Sequence, residues 1–135
     1  MSKMACVCGG VISDVSGPSA TEGWILRDED QEAHEDALAC DVEAFFEAVR
    51  AGRREQWIAG YFSADYPTDL NDRSIVSDIL CRHRLRDFLS IAECDRCGRL
   101  HVRTEPGVNA YRRYAPDKEG YGAALRSSRG TDRRS

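Results

Sequence analysis

The sequence predicts an α+β fold. Antiparallel hairpins come from both termini, and a set of about three helices is inserted between them. Three observations lead there. Two close cysteine pairs, Cys6/Cys8 and Cys94/Cys97, stand near opposite ends of the chain, each followed by glycine and a short β-favouring run. Between them lie segments whose apolar residues recur every three or four positions. The last sixteen residues change to Gly, Ser, Arg and Thr.

The elements follow in order. Val11–Ser13 reads as a short strand leaving the first cysteine pair, and Trp24–Arg27 as a second strand able to pair with it. Ser16 to Gly23, with Gly17 and Pro18, is a loop. Asp28, Glu29 and Asp30 bring negative charge to a helix start, where the backbone dipole favours it. That helix is expected over about 31–51. Leu38, Val42, Phe45 or Phe46, and Val49 form one apolar stripe, and Gly52 supplies the stop. Glu55 to Phe62 is a short second helix. Asn71 or Asp72 caps a third, through about His83, with Ile75, Ile79 and Leu80 inward. Leu85 to Ala92 reads as the strand that delivers Cys94, and Arg99–Arg103 as its hairpin partner. Tyr111 and Tyr114 are expected to pack back on the body. The expected division is one domain over 1–119, with the helical insertion at about 28–84, and a disordered tail over 120–135 carrying Arg126, Arg129, Arg133 and Arg134.

Composition sets the broad class. The chain has 135 residues, 41% hydrophobic and 31% charged, which suits one soluble domain. It shows neither a membrane-length apolar run nor a secretory leader, so a cytoplasmic location is expected. Six cysteines in a reducing compartment point to metal binding or redox chemistry before disulfides. The net charge of −4 is unevenly spread: Glu22 to Glu47 holds ten acidic residues and one arginine, whereas arginines crowd around the second cysteine pair.

The cysteines carry the chemistry. Zinc takes four thiolates in a tetrahedron, and a tight turn presents two of them at once. Gly9 and Gly98 follow the two pairs and permit the positive φ such turns need. Cys6, Cys8, Cys94 and Cys97 are therefore expected to hold one structural Zn2+. Loop-closure cost grows only logarithmically with length, so their separation in sequence is no obstacle. Two knuckles attached to hairpins make a zinc-ribbon-like arrangement. Cys94–Cys97 precedes a glycine and a strand, not a helix, which argues against a redox dithiol. The zinc-deaminase pattern fails at both halves, and neither a Walker loop nor HExxH is present. Four cysteines leave the metal no open position, so no enzyme is predicted. Cys40 and Cys81 read as core, His34 as exposed, and His83 as a helix-ending residue. His101 is a minor candidate for a replacement ligand or a groove residue.

With these motifs laid out, the chain resembles a class of small bacterial zinc-ribbon proteins. The matching residues are Cys6-Val-Cys8-Gly-Gly-Val-Ile-Ser-Asp14, Trp24–Asp30, and Cys94-Asp-Arg-Cys97-Gly-Arg-Leu100. The resemblance implies zinc on the four cysteines and a ribbon fold. It implies no particular activity.

Two functions are weighed. In the first the chain is a protein-binding module of an immunity-like or accessory kind. Asp28, Glu29, Asp30, Glu32, Glu35, Asp36 and Glu43 would meet a basic, nucleic-acid-acting partner. In the second it is a nucleic-acid-binding ribbon using Arg96, Arg99 and Arg103, because guanidinium suits phosphate. A pI near 5.4 weighs against the second.

Overall fold

The computed structural model describes residues 3–13 and 18–129. Ser16 and Gly17 of the expected loop, and Asp132, Arg133 and Arg134 of the expected tail, lie outside the described residues. The order of elements is β1 (Lys3–Ala5), β2 (Val11–Ser13), β3 (Glu22–Ile25), α1 (Asp28–Arg50), α2 (Arg54–Tyr61), α3 (Asp72–Asp87), β4 (Leu89–Glu93), β5 (Leu100–Arg103) and β6 (Tyr111–Tyr114). The α+β expectation holds, with hairpins from both ends and three inserted helices. The chain divides into two compact units. One runs to Ile25 and resumes at Phe88; the other is Leu26–Asp87.

The first unit holds both sheets. β1 and β2 form a two-stranded hairpin, and β3-β4-β5-β6 form an antiparallel sheet. The strand at Trp24 therefore does not pair with Val11–Ser13, as the sequence suggested. Val11–Ser13 takes the nearer partner, Lys3–Ala5, across the cysteine turn. β3 pairs instead with β4, with Gly23 opposite Ile91 and Trp24 opposite Ser90. β4 buries Leu89, Ile91, Ala92 and Glu93 and is lined on both edges. Tyr111 and Tyr114 bound a fourth strand that pairs with β5.

Glu93 explains the chain beyond Gly120. Its carboxylate is almost wholly buried and accepts hydrogen bonds from the N–H groups of Gly122 (3.2 Å) and Ala124 (2.9 Å). A buried carboxylate needs such donors. Composition alone suggested an unpacked tail from Gly120, yet this stretch is tied to the sheet.

The second unit is helical. α1 ends in a Schellman motif. Arg53 N–H donates to the Ala48 carbonyl at 2.8 Å, Gly52 N–H to Val49 at 3.3 Å, and Gly52 takes φ +74°. Asn71 caps α3, its Oδ1 accepting from Ser74 N–H at 2.9 Å. Phe45, Ile58, Ile75 and Ile79 form the fully buried centre, flanked by Leu38, Val42 and Val49 of the expected stripe. Phe45, not Phe46, points inward. Cys40 is exposed and Cys81 half-buried, so neither is core. Cys40 follows Leu38 by two positions, which turns it about 200° away around the helix. α3 runs one turn past His83 to Asp87, and the following strand starts at Leu89 rather than Leu85. Among the described residues, no helix is long and apolar enough to cross a membrane.

Candidate metal centre

The four cysteines converge. Cys6 and Cys8 lie on the turn between β1 and β2, and Cys94 and Cys97 on the turn between β4 and β5. Each turn is closed by the backbone. Cys6 N–H donates to the Gly10 carbonyl (2.9 Å), and Gly9 N–H to Cys6 (3.0 Å). Cys94 N–H donates to Arg99 (2.9 Å), and Gly98 N–H to Cys94 (2.9 Å). Gly9 and Gly98 have φ of +93° and +79°. Their positive φ suits glycine and would strain an L side chain. Gly10 serves by size. A Cβ there would lie 3.2 Å from Cys94 Sγ and 3.4 Å from Cys8 Sγ.

The sulfurs are spaced for a metal. Cys6 Sγ is 3.5 Å from Cys97 Sγ, and Cys8 Sγ is 3.6 Å from Cys94 Sγ. A disulfide would need about 2.05 Å. Four sulfurs about 2.3 Å from a tetrahedral centre lie about 3.8 Å apart. The donor set and its spacing thus fit a four-thiolate metal ion. The thiols are unequal: the Arg99 backbone N–H, aided by its side chain, pulls Cys97 down to about 6, while burial pushes Cys6 up to about 11. Around the site Ile12 and Ala92 are buried and Met4 is packed against them.

The remaining sequence candidates fall in three places. Asp28, Glu29, Glu32, Glu35, Asp36 and Glu43 are exposed along α1. Asp30 is half-buried and accepts from Arg27 Nε at 2.9 Å. The three arginines do not act as one free cluster. Arg96 is exposed beside Gly9 and Gly10. Arg99 is hydrogen-bonded to Cys97. Arg103 is held by Ser90 Oγ (2.8 Å), the Val108 carbonyl (2.9 Å) and Tyr111 Oη (2.7 Å). Trp24, Ser90, Arg103 and Tyr111 align across the four-stranded sheet and border a groove of ≈ 730 Å³ that Lys3 and Glu22 also line. His101 is fully buried on β5, and neither ring nitrogen has a hydrogen-bond partner. Burial, together with the charges of Arg113 and Arg99, keeps its pKa low. It is not among the side chains that converge on the sulfur site.

The helical unit holds a polar cluster absent from the sequence reading. His34, expected exposed, is buried on α1, with Nδ1 2.7 Å from Asp87 Oδ2 on α3. His83 is 1% exposed, and its Nε2–H donates to Asp41 Oδ2 at 2.6 Å. Tyr61 Oη donates to the same oxygen at 2.6 Å. Burial would raise the Asp41 pKa, but these bonds and nearby positive charge outweigh it and lower the net value. Arg86 and, second to it, His34 hold the Asp87 carboxyl at about 2. The available signals were the i, i+4 pair His83/Asp87 and the i, i+7 pair His34/Asp41. Each pair shares one helix face, but only packing brings the two together.

The model of one family, Domain of unknown function (DUF8617), matches residues 2–118. No curated protein and no solved structure matches the chain.

Proposed function

The chain belongs to the DUF8617 family, and from its geometry we propose a non-catalytic protein-binding module built around one structural zinc ion. Cys6, Cys8, Cys94 and Cys97 would hold the zinc, whose role is to tie the β1–β2 hairpin to the β4–β5 turn. Four protein sulfurs support a structural ion, because catalytic zinc keeps one position for water or substrate. The binding surface is α1. The observation that carries this reading is that six of the seven acidic candidates stand exposed on that one helix. Such a face accelerates and orients association with a basic protein surface. The chemistry of the partner is a protein rich in Arg and Lys, such as one that itself handles nucleic acid.

The test is cross-linking capture from cell extract with the wild-type chain and with Glu32→Lys/Glu35→Lys/Asp36→Lys in parallel. A basic protein captured by the wild type, lost in the variant, and weakened by salt supports the reading. Capture that is indifferent to the three reversals overturns it. A second reading, single-stranded nucleic acid on the sheet groove, is favoured by Tyr111 opposite Arg103 and Trp24 two strands away on the same groove. Oligonucleotide affinity lost on Trp24→Ala but kept on the α1 reversals selects it.

A further inference from the structure

We propose that the helical unit carries a second metal site, for a divalent ion of the zinc or iron(II) class, formed by His34, His83 and the Asp87 carboxylate. The first support is convergence. One donor atom from each of the three side chains lies within 4.8 Å of the other two. His83 and Asp87 are four residues apart, so they share a face of α3, and His34 reaches them from α1. Two imidazoles and one carboxylate form a donor set that suits first-row divalent ions and leaves further positions open.

The second support is how His83 is oriented. Its Nε2–H is committed to Asp41 at 2.6 Å, and Asp41 is held in turn by Tyr61. A carboxylate behind a histidine sets the tautomer and turns the other nitrogen toward a metal. His83 Nδ1 then carries a lone pair, and its neighbour confirms the assignment. Arg86 Nη2, which can only donate, lies 3.0 Å from that nitrogen. The same Nη2 lies 3.0 Å from Asp87 Oδ2. A cation therefore already sits between two of the three proposed ligands. The Arg86 side chain is 55% exposed, so it can withdraw into water when a metal ion takes its place.

The experiment uses the whole chain with its four thiols first filled by one equivalent of Zn2+, then titrated with Co2+. The expected result is one Co2+ per chain, with ligand-field absorption and no thiolate charge-transfer band. Asp87→Asn should weaken that uptake at least tenfold. Arg86→Ala removes the competing cation and should tighten it. Wild type that takes up no Co2+ beyond the thiol site overturns the proposal, as does uptake unchanged by Asp87→Asn. If Asp87→Asn fails to fold by circular dichroism, Arg86→Ala decides: tighter Co2+ binding supports the site, and unchanged or weaker binding overturns it.

Discussion

Replacing Cys94 by serine should release the β1–β2 hairpin while the helical unit stays folded. The strands of that hairpin are three residues each, too short to persist alone. Ordering residues 3–13 costs roughly 11–22 kcal/mol at about 1–2 kcal/mol per residue. The apolar side chains that hold the hairpin to the rest of its unit are Ile12, buried, and Met4, partly buried. Together they contribute about 3–6 kcal/mol. The apparent free energy of a structural zinc, about 10–16 kcal/mol, closes the gap. Serine is a poor replacement ligand, so Cys94→Ser or strong chelation should remove that contribution. The assay is amide hydrogen exchange at 3–13 compared with α1 and α3. Near-complete loss of protection in the hairpin, with the helices unchanged, is expected. Hairpin amides that exchange as slowly in Cys94→Ser as in the wild type would refute the reasoning, because contacts other than the metal would then be holding the hairpin.

Other outcomes follow from the same structure. Phe45→Ala empties the centre of the helical core and should cost about 3–5 kcal/mol in a thermal or urea melt of that unit, with metal content at the thiol site unchanged. Glu93→Ala strands the N–H groups of Gly122 and Ala124, at about 1–3 kcal/mol, and should open residues 120–126 to limited proteolysis. Tyr61 and Tyr66 are raised to about 12, by burial first and then by their bonds to Asp41 and Asp78. A phenol whose folded pKa lies above its unfolded value stabilises fully below pH about 10 and loses that contribution by about 12. An ultraviolet titration should therefore show a late ionisation step that shrinks in Tyr66→Phe. A single step near 10 for all five tyrosines would exclude it.

Local rules placed most of the elements. Acidic residues at the start of α1, Gly52 after its end, Asn71 before α3 and the period of Leu38, Val42, Phe45 and Val49 all act within one or two turns of chain. They can be read without knowing what lies across the fold. The misreadings share one cause. His34 looked exposed because its own helix face is acidic, and its partner Asp87 lies 53 positions away. α3 was expected to stop at His83, but it extends to the carboxylate that His34 and Arg86 engage. The segment after Gly120 looked featureless until Glu93 supplied its partner.

By itself the sequence determined the α+β class, the three helices and the four metal-ligand candidates. Cysteine pairs, caps and periodic stripes act through covalent nearness, and their meaning is local. Tertiary structure decided that β3 joins β4 rather than β2: the mostly buried β4 takes β3 on one edge and β5 on the other, while β2 pairs with β1. It also decided that two histidines and two aspartates from α1 and α3 meet beside Tyr61. Those contacts cross tens of residues, and which charges neutralise one another there depends on packing that no local pattern encodes.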